Sequence, residues 1–245
     1  MMSKLDDTFN FKSERFNQVR SKLDEDFKAN RAQVAGLLLS HVDELSILAS
    51  KTEVTRTDFK ALMDSIQRTR GSLINLFKKS FEIVIQNLTA EEIQNLDKFS
   101  LKKLKEDDKK IALKDDYLEK QLDSFEKVMD FLFDSTNKSQ REIYNQFLTD
   151  NYAFFEAQSE SRKAFVKKFD SLTSKKEQLL TFVMKYYEGD DSIKDLTEVR
   201  NKETFSNNFN EVLFKVWTAS SSKQRNYLKN SLMDLKEDLK KMVAD

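Results

Sequence analysis

The sequence predicts an all-α fold, and three observations lead to that prediction. Its 245 residues include no proline and only three glycines. β-Hairpins need residues at positive φ in their turns, usually glycine, so a sheet built from hairpins is disfavoured. Charged residues make up 34% of the chain, and apolar residues recur between them with the 3.6-residue period of amphipathic helices. We therefore expect an extended bundle of seven or eight mostly antiparallel helices.

The first part of the chain predicts a short lead-in followed by two long helices. Residues 1–11 are an apolar and acidic lead-in, and residues 12–245 are expected to form a single α-helical domain. Apolar residues with a helical period fill 12–49 and 58–87, and a polar connection separates these two ranges. Gly36 lies inside the first helix, where glycine costs about 1 kcal/mol relative to alanine. Close packing of a neighbouring helix against Gly36 is therefore expected.

The remaining helices follow from the same period. One begins after Thr89 and carries a stripe up to residue 134, but its residues 102–116 are mostly charged. Such a stretch is typical of either a solvated helical extension or a fraying loop. Further helices are expected over 137–172 and up to residue 188. The segment that ends at residue 219 fits one helix or a pair of helices. Gly189 suits a left-handed C-terminal position. The last helix carries an apolar stripe formed by Leu228, Leu232, Leu235, Leu239 and Met242.

Four predicted helix starts share one short motif. Each has Ser, Thr or Asn followed three residues later by Glu or Gln, which is the pattern of a capping box. In that box the side chain of the cap residue accepts a hydrogen bond from the backbone N–H of the third helical residue. The side chain of that third residue accepts a hydrogen bond from the backbone N–H of the cap residue. The four boxes are Thr89/Glu92, Asn137/Gln140, Ser174/Glu177 and Ser221/Gln224. Their uneven spacing argues against a solenoid repeat.

These boxes also carry a resemblance to a protein family. Together with the segments Leu5-Asp-Asp-Thr-Phe-Asn-Phe11 and Leu235-Lys-Glu-Asp-Leu239, they resemble uncharacterised all-helical lipoproteins of the Gram-negative envelope. Members of that family begin with Leu-Asp-Asp-x-aromatic and start helices with Leu-Thr-x-x-Gln boxes. The closest copy is Leu88-Thr-Ala-Glu-Glu92, whereas Phe11-Lys-Ser-Glu-Arg15 lacks the Thr and Gln of a first box. A looser likeness links the chain to small periplasmic stress chaperones.

The resemblance covers nearly the whole chain and implies a location on the periplasmic side of the bacterial envelope, associated with the outer membrane. A cytoplasmic location stays open. The chain has no cysteine that could accept a lipid, so membrane attachment would need an N-terminal anchor outside this sequence. No apolar run approaches the roughly 18–20 residues that span a bilayer.

Composition disfavours most kinds of chemistry. Lys and Arg total 42 and so do Asp and Glu, and this balance argues against a nucleic-acid partner. Without cysteine and with only one histidine, the chain cannot supply the usual zinc or di-iron ligand sets. Its adjacent acid pairs lack the calcium-binding loop of an EF-hand. We therefore expect no catalytic, cofactor or metal site, although a Ser–His–Asp arrangement around His41 stays open.

The aromatic residues suggest a binding surface. The chain has 20 phenylalanines, six tyrosines and one tryptophan, more than single helical stripes can bury. They either pack inside a multilayered bundle or line an apolar groove for an amphipathic or unfolded partner. His41, on an apolar stripe, is interpreted as a packed or groove-lining residue, with a pH-sensitive contact as the alternative. The candidate partner-binding residues are His41, Tyr152, Phe154, Phe155, Arg162 and Trp217.

For Arg162, the family resemblance is the reason for its inclusion, and a surface ion pair is the default interpretation. The sequence thus predicts a non-enzymatic cell-envelope protein that binds a protein or other apolar partner through a helical groove. A periplasmic chaperone-like protein and a lipid-binding or membrane-surface module are the alternatives. An enzyme is the least favoured class, because catalytic residue types are scarce.

Overall fold

The computed structural model describes residues 2–244, with the side chains of residues 6–243. This described part of the chain is helical and contains no strand, which confirms the predicted all-α class. Its helices, in chain order, are α1 (Met2–Phe9), α2 (Ser13–Ser50), α3 (Arg56–Leu76), α4 (Lys78–Gln86), α5 (Ala90–Ala112), α6 (Lys114–Phe133), α7 (Lys138–Asp150), α8 (Tyr152–Leu172), α9 (Lys176–Glu188), a 3₁₀ turn (Asp191–Ile193), α10 (Leu196–Thr218) and α11 (Ser222–Ala244).

The chain divides into two compact units, each assembled from three separate segments. Unit 1 comprises Met1–Arg31, Arg70–Ala112 and Glu156–Asp195, and unit 2 comprises Ala32–Thr69, Leu113–Phe155 and Leu196–Asp245. Each unit has its own hydrophobic core. The single domain expected over 12–245 stays a prediction, within which the structure distinguishes these two units.

Unit 1 includes the predicted lead-in. Helix α1 packs against α5, and the rings of Phe9 and Phe11 stack with their centroids 5.3 Å apart. Both rings lie in a core that also receives apolar side chains from α2, α4, α8 and α9. The apolar residues at the start of the chain therefore belong to the packed structure of unit 1.

The helix predicted over 58–87 is broken at Phe77. Side chains of α2 form hydrogen bonds with the backbone groups on both sides of this break. The Asn30 Nδ2 donates to the Leu76 carbonyl at 2.8 Å, at the end of α3. The Asp26 carboxylate accepts the backbone N–H of Ser80 at 3.1 Å, and also the Ser80 hydroxyl, in the first turn of α4. Asp26 is buried, so its charge is offset by hydrogen bonds at the positive end of a helix.

The other end of α4 is also held by α2. The Arg15 Nη2 donates to the carbonyl of Ile83 at 3.0 Å and to that of Val84 at 3.4 Å. An anion thus lies at the N-terminus of this nine-residue helix and a cation near its C-terminus. This is the arrangement that a helix dipole favours at each end.

Unit 2 is built around α6, α7, α10 and α11, with α7 packing on both α6 and α10 and α11 packing on α6. In the stripe predicted for α11, Leu228, Leu232 and Leu239 are buried, but Leu235 is 41% exposed. The expectation for Leu235 was therefore wrong. Its angle on the helix fits the stripe, but the neighbouring helices do not cover that position.

Two further predicted helices are each divided, which raises the helix number above the expected seven or eight. The segment 90–134 is interrupted at Leu113, where ψ is 75°, and the segment 137–172 is interrupted at Asn151. The Asn151 Nδ2 donates to the Phe147 carbonyl at 2.8 Å, beside the end of α7. Residues 102–112 are helical, so the fraying loop is not formed there. The helix is not wholly solvated, because Asp107 and Asp108 pair with side chains of α8 and Ile111 is buried.

Two expectations about α2 are changed by the structure. A Cβ atom added at Gly36 would meet no atom within 4 Å, so the close helix contact expected there is absent. Among the described helices, α2 also meets the length and composition criteria of a membrane span. One such helix is weak evidence for a span, because a buried core helix and a signal sequence pass the same test, and 22% of the apolar 18-residue window in α2 is buried. Helix α2 contributes buried residues to both cores.

Candidate functional site

The aromatic residues proposed from the sequence pack inside unit 2. Phe155 and Trp217 are buried, whereas Tyr152 and Phe154 are partly buried against the same core. The Phe154 ring stacks on Phe205 at 3.9 Å between centroids. These side chains do not form an open aromatic face, because rings from α3, α6 and α10 pack on them.

Arg162 lies in unit 1, apart from the other five candidates, which all belong to unit 2. Its Nη1 is 2.6 Å from the Asp107 Oδ2, and its Nη2 donates to the Gln158 Oε1 at 2.9 Å. Arg162 therefore forms the surface ion pair that was the default interpretation. This pair joins α8 to the charged end of α5.

Three of the four capping boxes are formed. Thr89 and Glu92 exchange bonds of 2.9 and 3.2 Å, Asn137 and Gln140 exchange two bonds of 3.0 Å, and Ser221 and Gln224 exchange bonds of 2.9 and 3.2 Å. The box expected at Ser174 and Glu177 is absent. Helix α9 starts one residue late for it, so Lys175 is the cap residue and no side chain caps the helix.

The two boxes of unit 2 are joined into one buried network. The Gln224 Nε2 donates to the Gln140 Oε1 at 2.9 Å and to the Ser135 carbonyl at 2.8 Å. The Gln140 Nε2 donates to the Ser220 hydroxyl at 3.0 Å and to the Val216 carbonyl at 3.2 Å. Gln140 is completely buried, and its hydrogen bonds connect the start of α7 to the end of α10. These glutamines therefore have a structural role.

The corresponding box in unit 1 has a charged neighbourhood. The Glu92 Oε1 is 3.5 Å from the Arg15 Nε, and both side chains are largely buried. Burial lowers the pKa of Lys176, although the Glu92 carboxylate acts in the opposite direction. The Lys176 Nζ donates to the Leu88 carbonyl at 3.3 Å. This corner therefore uses ionic groups where unit 2 uses amides.

Unit 1 also brings two carboxyl groups together. Burial, followed by a hydrogen bond to Asp97 and repulsion from its charge, raises the pKa of Asp170 to about 6. The Asp97 Oδ1 is buried and has no hydrogen-bond partner in the described structure. Because Asp170 keeps its proton up to about pH 6, its contact with Asp97 makes the packing of α8 on α5 sensitive to pH.

His41 lies beside polar groups that connect α2 to α3. Its Nδ1 is 3.3 Å from the Glu44 Oε2, and the Glu44 Oε1 accepts the Ser65 hydroxyl at 2.9 Å. Because Ser65 bonds the carboxylate instead of the imidazole, the pair of nucleophile and base that a catalytic triad requires is not formed. No group of three His, Cys, Asp or Glu side chains within the described chain could hold a metal.

An open groove lies between α2 and α3, next to this polar connection. Its volume is about 360 Å³, and nine residues line it: Glu44, Ile47, Leu48, Lys51, Asp58, Ala61, Leu62, Ser65 and Arg68. We call it the α2–α3 groove. Leu48 and Leu62 are buried, whereas Ile47 is 64% exposed. An exposed isoleucine beside a buried apolar floor is a contact that a partner could cover.

Sequence reasoning predicted a helical groove but missed the residues that line this one. Ile47 lies next to Leu48, off the predicted stripe of its helix. The available signal was an apolar residue outside the helical stripe. In a helix that packs on one side, burial in the core does not explain an isoleucine at such a position. Arg68 gave no signal, since exposed arginines are common.

No family model, no curated protein and no solved structure matches this chain.

Proposed function

We propose that the protein is a non-enzymatic binding protein whose α2–α3 groove takes an amphipathic helix from a protein partner. The exposure of Ile47 beside the buried Leu48 and Leu62 carries this proposal. Covering Ile47 would remove apolar surface from water, and complete burial of such a side chain is worth about 1.5–3 kcal/mol.

The length of the groove favours a helix as the occupant. Its lining residues on α3 run from Asp58 to Arg68, which is about 15 Å at 1.5 Å per residue. That length matches about three turns of a partner helix. The Lys51–Asp58 pair at 2.6 Å and the Glu44–Ser65 bond at 2.9 Å join α2 and α3. Amphipathic helices bind in grooves of this kind through apolar residues three or four positions apart.

The proposal retains the parts of the sequence interpretation that concern location and class. The resemblance to envelope lipoproteins supports placement at the periplasmic side of the bacterial envelope. An arrangement of mostly antiparallel helices within each unit is also part of this proposal. The separation of Ser65 from the imidazole of His41 favours a binding role for this region over triad hydrolysis.

A matched pair of substitutions tests the groove. Ile47 and Ile66 are both exposed isoleucines of unit 2, but only Ile47 lines the groove. Labelled amphipathic peptides of about 14 residues, with leucines three or four positions apart, would be titrated while fluorescence anisotropy is recorded. We expect Ile47→Asp to weaken binding at least about tenfold, because it places a charge on the apolar contact. Ile66→Asp should bind as the original chain does.

Two results would contradict the proposal. One is equal peptide affinity for both variants, and the other is no peptide binding to the original protein. Circular dichroism of each variant serves as a control for folding. Because both isoleucines are exposed, neither substitution should reduce the helical content.

A further inference from the structure

The interface between α5 and α8 in unit 1 has two ends with different charge chemistry. In the last turns of α5, Asp107 and Asp108 meet cations of α8. The Arg162 Nη1 is 2.6 Å from the Asp107 Oδ2, and the Lys163 Nζ is 3.0 Å from the Asp108 Oδ2. The hydroxyl of the buried Ser159 also donates to Asp108 at 2.7 Å. We call this the ion-paired end, because opposite charges face each other there.

The other end of the same interface brings two acids together. Asp97 of α5 is in hydrogen-bond contact with Asp170, which lies in the last turn of α8. Along α8, Asp170 lies about 12 Å beyond Arg162, at 1.5 Å per residue. The Asp97 Oδ1 is buried and has no hydrogen-bond partner in the described structure. A buried carboxylate oxygen without a donor is costly when it is charged, so this acidic end disfavours ionisation of both groups.

Cations that neighbouring elements bring to α5 are engaged away from the acidic end. The Lys12 Nζ is 2.8 Å from the Glu91 Oε2, and the Nε of Arg15, on α2, is 3.5 Å from the Glu92 Oε1. Both pairs lie one to two turns before the acidic end along α5. Lys176, on α9, donates to a backbone carbonyl that precedes α5.

The acidic end also lacks an ion pair with other nearby charges, as far as residues 6–243 are concerned. The charged side chains close in sequence to these contacts are Asp6 and Asp7 on α1, Lys98 and Lys102 on α5, Lys167 and Lys168 on α8, and Lys175 and Glu177 at the start of α9. The charge that acts on Asp170 is that of Asp97. The two acids therefore depend on each other for their ionisation.

We propose that Asp97 and Asp170 act as a proton-operated latch, which holds the C-terminal end of α8 on α5 while the pair keeps a proton and releases it when both carboxyl groups are ionised. A protonated carboxyl group donates to the other carboxylate, whereas two charged carboxylates repel each other. The pKa of Asp170, raised to about 6, places the change between about pH 5 and 7. The single histidine, His41, belongs to unit 2, so no imidazole of unit 1 titrates in this range.

Release of the latch acts on apolar side chains of unit 1. Leu172 is buried and Phe169 is partly buried against the unit 1 core, both in the same part of α8 as Asp170. At the ion-paired end, hydrogen bonds from Ser159 and Lys163 hold the pKa of Asp108 below its usual value, so that end stays paired in neutral solution. Opening is therefore confined to the last turns of α8. Unit 1 covers this apolar edge in acidic solution and exposes it in neutral solution.

Hydrogen exchange followed by mass spectrometry reads the two ends separately. The full chain is labelled at about pH 5 and about pH 7.5, and protection factors, which correct for the pH dependence of the exchange chemistry, are compared for peptides covering 165–175 and 156–163. We expect protection over 165–175 to fall about tenfold between the two pH values, since one pKa unit corresponds to a factor of ten. Protection over 156–163 should change by less than about twofold.

Matched substitutions assign the effect to the acid pair. Asp170→Asn and Asp97→Asn each place an amide donor against the remaining carboxylate, so 165–175 should stay protected at both pH values. Asp107→Asn is the control, because it removes a carboxylate from the ion-paired end. It should lower protection over 156–163 at both pH values and leave the pH-dependent fall over 165–175 in place.

Three results would overturn the inference. One is equal protection of 165–175 at both pH values in the original chain, and another is an undiminished fall in the two Asn variants. A uniform loss of protection across unit 1 would also overturn it, since the opening would then not be local. Calcium at about 1 mM is a further probe at the higher pH. We expect it to have no effect, and a return of protection would replace the proton latch with a cation site.

The two Asn variants support each other in this test. If one of them does not fold, the other still removes the titration of the pair, and the comparison with Asp107→Asn is unchanged.

Discussion

The two units use the same capping motif but surround it with different chemistry. In unit 2, Gln140 and Gln224 occupy the third helical position of their boxes and bond to each other. In unit 1, Glu92 occupies that position and faces Arg15. A glutamine amide donates and accepts, so two boxes can be joined directly, whereas a carboxylate only accepts and needs a cation. One change of side-chain type thus decides whether a helix corner is neutral or ionic.

Converting a neutral corner to an ionic one should have the largest effect. Gln224→Glu removes the donor to Ser135 and Gln140 and turns a carboxylate towards two acceptors. We expect a loss of about 3–5 kcal/mol in the free energy of unfolding, because the buried charge has no cation. Urea denaturation measures it, with exposed Gln67→Glu as the control. Equal losses in both variants would contradict the role given to the network.

The reverse conversion in unit 1 should cost less. Glu92→Gln keeps the acceptor for the Thr89 amide but removes the charge that faces Arg15. We expect a loss of about 1–3 kcal/mol, smaller than in unit 2 because Arg15 retains its bonds to Ile83 and Val84. A double-mutant cycle with Arg15→Met measures the coupling. Fully additive losses would show that the two charges do not interact.

The cap itself should contribute about as much as one hydrogen bond. Thr89→Ala removes the acceptor of the Glu92 amide, and we expect it to cost about 1 kcal/mol. Ser174→Ala is the matched control, because this serine has the same sequence motif but its helix has no side-chain cap. It should change stability by less than about 0.5 kcal/mol. Thermal denaturation compares the two, and equal losses would contradict the difference.

An effect of pH should appear in unit 1. The pKa of Asp170 is raised to about 6 from 3.8, so the folded state holds a proton that the unfolded state releases. The stability from this proton is complete below about pH 4 and is lost as pH rises through about 6. Asp170→Asn should therefore match the original protein near pH 4 and exceed it in stability at pH 8. Urea midpoints at both pH values check this, and an equal difference at both would exclude the carboxyl pair as its source.

Local patterns in the sequence predicted what depends on a few neighbouring residues. The helical class follows from the apolar period, and Gly189 has φ +81° at the end of α9, as a left-handed position requires. The break at Phe77 could not be predicted in this way. The backbone groups beside the break form hydrogen bonds with Asp26 and Asn30. These two residues lie on α2 and are distant in sequence.

The candidate site divides in the same manner. His41 is partly buried on α2, and its Nδ1 is 3.3 Å from the Oε2 of Glu44, which lines the groove. Its role in partner binding stays a prediction. For the surplus rings the sequence left core packing and a surface groove open, and Phe155 and Trp217 lie in the core. The number of helices that cover a residue cannot be read from its own helix. The exposure of Ile47 also depends on which helices cover it, so it could be determined only from the structure.

Helix α4 has a consequence for the order of folding. A nine-residue helix is too short to be stable alone in water. The free-energy cost of nucleation exceeds the stabilisation from the few hydrogen bonds that such a helix forms. The groups that satisfy its ends, Asp26 and Arg15, lie 54 and 68 or more residues away along the chain. Helix α4 must therefore form after α2 has been positioned, late in the folding reaction. Substitutions within α4 should mainly accelerate unfolding and leave the folding rate nearly unchanged.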